Sequence, residues 1–89
     1  MTQLTLKNLE ICFNTAIKEN AMFVGVAVVI GEQKTPEIII NKLENFESKL
    51  AYYKNAYNED LTLKANQNIK IVGFSHGDVA STIVSDLLP

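Results

Sequence analysis

The run Met22-Phe23-Val24-Gly25-Val26-Ala27-Val28-Val29-Ile30 constrains this chain more than any other segment, because it is apolar throughout and dense in β-branched residues. Such side chains favour an extended, pleated backbone, and a strand without polar alternation has to be covered on both faces. The run therefore reads as a central strand ending at Gly31. One face carries Val24, Val26, Val28 and Ile30, the other Phe23, Gly25, Ala27 and Val29. The cover has to come from helices of the same chain or from a second subunit. In a chain of 89 residues, where folding hides only about 60% of the surface, the expectation is that a partner contributes.

The remaining segments arrange themselves around that strand. Leu6, Leu9, Phe13, Ala16 and Ile17 recur at three- and four-residue spacing, which predicts an amphipathic helix from Thr5 to about Glu19 with Thr5 as N-cap. Gly31 to Thr35 is a polar turn, and Pro36 to Ile40, with Ile38, Ile39 and Ile40 in succession, reads as the returning strand of a hairpin. Pro36 cannot donate to a ladder, so this strand belongs at a sheet edge. The alternative is that Thr35-Pro36-Glu37 starts a longer helix, since Thr as cap and Pro at the first position is a legitimate start signal. Asn41 with Glu44 three residues on is the stronger capping box, and Leu43, Phe46, Leu50, Tyr53 and Tyr57 then follow one helical face. Phe46 and Leu50 are expected at the centre of the helix–sheet interface. Asn58 to Asn68 is polar apart from Leu61 and Leu63. Ile69 to Phe74 reads as a third strand, with Ile69 and Ile71 on one face against Val72 and Phe74 on the other. Ser75-His76-Gly77 is expected to turn the chain, Asp78 to cap, and Val79 to Leu88 to form a last helix.

The order αββαβα implies a single α+β domain over residues 1–89. Its three-stranded antiparallel sheet has order 2-1-3, a split β-α-β unit packed with three helices.

Composition limits the partners. Ten acidic residues stand against eight basic ones, and all eight are lysine. Without arginine the chain lacks the planar fork that reads phosphate and guanine bidentately, so nucleic acid is not an expected partner. No signal peptide fits the sequence, and the longest apolar run, Ala21 to Ile30, is ten residues and too short to span a bilayer, so the expectation is a cytoplasmic protein without membrane association. One cysteine, Cys12, and one histidine, His76, fall short of a zinc ligand set, and no cofactor is expected. Cys12 lies beside the apolar face of the first helix and reads as a partly buried, inert thiol.

Gly73-Phe74-Ser75-His76-Gly77 matches G-x-S-x-G between a predicted strand and a predicted helix, the setting of a hydrolase nucleophile elbow. The chemistry also demands a histidine within reach of the serine and a carboxylate to orient it. No histidine follows His76, only Asp78 and Asp86 follow as acids, and 89 residues cannot hold the hydrolase sheet. The match is read as coincidence and the protein as no enzyme. Ser75, His76, Gly77 and Asp78 remain as a candidate ligand loop, in which glycine and a helix N-terminus would present N–H groups to an anion. Tyr52 falls off the apolar stripe of the second helix beside Lys49 and Ala56, and with Ile38, Ile39 and Ile40 it is a candidate interface residue.

The stretch from Glu44-Asn45-Phe46-Glu47-Ser48-Lys49 to Tyr57-Asn58, followed by Ile69-Lys70-Ile71-Val72-Gly73-Phe74, resembles small proteins of unassigned activity encoded by phages and prophages of low-GC Gram-positive bacteria. The resemblance covers the last half of the chain. It implies a phage accessory context and brings no activity, cofactor or binding residue. Together these readings give a non-enzymatic protein-interaction module, a homo-oligomer or the partner of another protein. The alternative is a small regulatory domain that responds to a ligand or nucleotide through Ser75 to Asp78.

Overall fold

In the computed structural model, which describes residues 3–89, the predicted cap of the first helix is in place. The Thr5 hydroxyl accepts from Asn8 N at 3.1 Å and opens α1 (Leu6–Lys18). At the other end Asn20 takes the left-handed conformation, and Ala21 N bonds back to Ala16 O at 2.9 Å. This is a Schellman stop with asparagine in place of glycine. The chain then enters β1 (Phe23–Ile30), turns through Gly31 at φ 61°, and returns as β2 (Glu37–Lys42). Pro36 thus precedes a strand and not a helix. A 3-10 turn at Leu43–Asn45 leads into α2 (Phe46–Ala56), followed by the short β3 (Thr62–Leu63), the long β4 (Asn66–Gly77) and α3 (Ala80–Leu87).

The class is α+β with three helices, but the sheet has four antiparallel strands in the order β2-β1-β4-β3. The extra strand is β3. It comes from the polar stretch around Leu61 and Leu63, where Asp60 Oδ1 accepts from Thr62 N and Thr62 Oγ1 and holds the turn. Strand β1 is central and β2 lies at an edge, as expected, and β2 and β4 run parallel on either side of β1.

Three local expectations are corrected. Asn41 is not a helix cap: it sits in β2, 2% exposed, and donates through Nδ2 to Val24 O at 3.1 Å. α2 accordingly begins at Phe46, and neither Asn45 nor Asn41 caps it with a side chain. Ser75, His76 and Gly77 do not turn the chain, because they continue β4 and pair with Gly25, Val24 and Phe23. Asp78 does not cap α3 either. Its Oδ1 accepts from Met22 N at 3.1 Å and ties the end of β4 to the start of β1, while Val79 takes the cap position.

Both sheet faces are covered by the chain itself. α1 and α2 cover the face that carries Val24, Val26 and Val28, with the Phe13 ring against Phe46 at 5.7 Å and against Tyr53 at 5.9 Å. Leu50 is only half-buried, so the centre of this layer is Phe13, Phe46 and Tyr53 and not Leu50. α3 covers the other face, seating Ile83 and Leu87 over Gly25 and Gly73. This removes an open sheet face as a reason to expect a partner.

The seat of α3 depends on glycine as a spacer. A Cβ at Gly25 would overlap Ile83 Cγ2 and stand 3.2 Å from Leu87 Cδ1, and Ile83 is 2% exposed. Gly25→Ala is therefore expected to cost about 1–3 kcal/mol by overpacking. At Gly73 the neighbour is Leu87 Cδ2 at 3.2 Å, the end of a half-buried side chain with room to give, so Gly73→Ala should cost less. Urea denaturation of the two variants checks the order, and equal losses would show that α3 is not seated on Gly25.

Candidate functional site

Strand β4 carries one extra residue. Ala27 pairs with Gly73 but Val28 pairs with Ile71, which leaves Val72 as a bulge. Directly opposed residues share a face of the sheet, so Ile69, Ile71, Phe74 and His76 all lie on the α1 side with Val24, Val26 and Val28. Phe74 therefore joins Ile71, contrary to the alternation expected from the sequence. β3 accompanies β4 only as far as Lys70, and Ile71 N bonds to Leu61 O at 3.0 Å. Beyond that point, from Val72 to Gly77, β4 has a strand on one side only among the described residues.

Beside this stretch, α1 and β4 enclose a groove of about 450 Å³ lined by Asn8, Ile11, Cys12, Thr15, Phe74, Ser75 and His76. Within it Cys12 Sγ lies 3.8 Å from His76 Nδ1, and His76 Nε2 lies 3.7 Å from Glu19 Oε1. Thiol, imidazole and carboxylate stand in a row. Sequence reasoning missed this because Cys12 and His76 are 64 residues apart and meet only through the packing of α1 on β4.

The electrostatics do not prepare Cys12 for attack. Burial pushes its thiol up from about 9 to about 11, whereas a nucleophilic cysteine needs a depressed value. Nor does the serine of the G-x-S-x-G match sit on an elbow. Ser75 lies in mid-strand opposite Gly25, on the α3 side, away from the face that His76 shares with Val24.

The four residues of the candidate ligand loop are thus distributed. Ser75 and His76 line the groove, Gly77 pairs with Phe23, and Asp78 is engaged with Met22 N. The candidate interface residues lie elsewhere. Ile38, Ile39 and Ile40 oppose Ala27, Val26 and Gly25, so Ile38 and Ile40 face α3 and Ile39 faces the α1–α2 layer, 39% exposed. The outer side of β2 has no neighbouring strand among the described residues. Tyr52, 50% exposed, has its ring against Tyr53 and Tyr57 with Lys49 Nζ 5.8 Å above it. Burial, with Tyr52 nearby, pushes the Tyr57 hydroxyl up to about 12. Tyr53 is raised by the same burial, and the Asn41 amide opposes that rise.

Among the described residues, no three His, Cys, Asp or Glu side chains converge as a metal site. Nor, among the described residues, is any helix long and apolar enough to cross a membrane. Comparison with protein-family models, with curated proteins and with solved structures returns no match.

Proposed function

We propose that this chain is a protein-interaction module, not an enzyme, that pairs with a second copy of itself through the free side of β2. The observation that carries the reading is the outer side of β2, where an unpaired strand presents its backbone N–H and C=O groups beside an exposed Ile39. Antiparallel pairing about a twofold axis requires opposed residues to share a face. A register centred on Ile39 satisfies this, because it sets Ile39 against Ile39 of the second copy and Ile38 against its Ile40. The three isoleucines then meet three isoleucines, and two four-stranded sheets become one of eight strands.

Ile39→Lys places two like charges against each other on the axis. It is expected to weaken association at least about tenfold, or roughly 1.4 kcal/mol, with an unchanged far-ultraviolet circular dichroism spectrum. Sedimentation of the wild type at micromolar concentration as a single species of monomer mass would overturn the reading.

A further inference from the structure

The groove between α1 and β4 offers a chemistry that pairing through β2 does not use. We propose that Cys12 and His76 bind a soft monovalent metal ion, Cu⁺ or Ag⁺, with Glu19 orienting the imidazole from its far side.

Geometry is the first support. Cys12 Sγ and His76 Nδ1 are 3.8 Å apart. An ion bonded to sulfur at about 2.3 Å and to nitrogen at about 2.0 Å, the lengths typical of such ligands on zinc, fits between them with the bonds at an open angle. Nδ1 is the nitrogen turned toward the sulfur, so the ring proton belongs on Nε2, which faces Glu19 Oε1 at 3.7 Å. A carboxylate behind a ligating histidine fixes its tautomer and raises its basicity. Glu19 is an exposed side chain at the C-cap of α1, and a small rotation shortens that contact.

Ligand type and charge select the ion. Thiolate and imidazole together suit Cu⁺ and its heavier relatives, which accept two protein ligands. Divalent ions want three or four, and no such set converges among the described residues. A bare thiolate is costly in a half-buried site, whereas a monovalent cation on that thiolate forms a neutral unit. A divalent ion would leave a net positive charge there. Binding exchanges the thiol proton, released to buffer, for the metal ion, and no electron moves. The groove is open to solvent, with Ile11 of its lining 51% exposed, and so admits the ion.

The test is anaerobic competition for Cu⁺ held as its bicinchoninate complex, repeated with Ag⁺ by titration calorimetry. Wild-type protein is expected to withdraw one equivalent, and Cys12→Ser none. Glu19→Gln keeps both ligands and is expected to bind 10- to 100-fold more weakly, the usual range for an outer partner of a metal-bound histidine. His76→Gln should lose at least as much. Circular dichroism establishes that each variant is folded, and the exposed Glu19 position keeps one variant free of that concern. Failure of the folded wild type to withdraw Cu⁺ would overturn the proposal, as would wild-type affinity in both His76→Gln and Glu19→Gln, which would mean capture by the thiol alone.

Discussion

Replacing Phe13 by alanine is expected to destabilise the fold by about 3–5 kcal/mol, the range for truncating a buried aromatic. Phe13 has no exposed surface, and it is the ring that joins α1 to α2 through edge contact with Phe46 at 84° and tilted contact with Tyr53 at 39°. A domain of this size has a total stability of about 5–15 kcal/mol, so the loss removes a large fraction of it and the urea midpoint should fall markedly. Leu50→Ala should cost clearly less, because Leu50 is half-buried and packs only against the margin of the same cluster. Urea denaturation of the two variants decides the matter, and a Phe13→Ala loss under about 1 kcal/mol would show that the helical layer is not the core.

Alkylation of Cys12 by iodoacetamide is expected to run about 100-fold more slowly near neutral pH than for a thiol at its ordinary value, since two units of pKa remove that factor of thiolate. The rate should reach half its maximum near pH 11, because burial raises the thiol to about 11. The same rise has a consequence for stability. A group whose folded value lies above its unfolded one contributes fully below the unfolded value and loses that contribution as pH rises through the folded one. For Cys12 the loss runs from about pH 9 to about 11, and Tyr57, raised to about 12, extends it upward. Thermal melts between pH 8 and 11 should therefore fall for wild type, and less steeply for Cys12→Ser. A half-maximal alkylation rate at or below pH 9 would contradict the burial of the thiol.

Features set by neighbours in sequence were legible without the structure. Thr5 declares the start of α1 and the β-branched run declares β1. Pro36 at the entrance of the isoleucine strand assigns β2 to an edge. What escaped depends on residues far apart or on backbone with no local signature. β3 rests on Leu61, whose φ of 68° is unusual for a buried leucine and is held by the turn from Asn58 to Thr62. Asn41 has the spacing of a cap, yet pairing with Val24 draws it into the sheet. The glycines of the G-x-S-x-G match look like turn residues, but Gly73, with Gly25, leaves room for the side chains of α3. In the groove, His76 was legible as a lone titratable side chain. Its meeting with Cys12 and Glu19 was not, because the bulge at Val72 had first to rotate it toward α1.

That bulge acts as a phase shifter. Were Val72 to take a regular place in the ladder, strict alternation along β4 from Ile71 would put Gly73, Ser75 and Gly77 where Phe74 and His76 now lie under α1, and would send Phe74 and His76 toward α3. Phe74 would then have to enter the space that Gly25 and Gly73 leave for Ile83 and Leu87. Ironing out this one bulge while keeping its residue would thus exchange the linings of two separate layers at once, losing the thiol–imidazole contact and the seat of α3 together, whereas deleting Val72 itself would leave both linings in place. This exposed valine, with 37% of its surface open, is the point on which the identity of both faces turns.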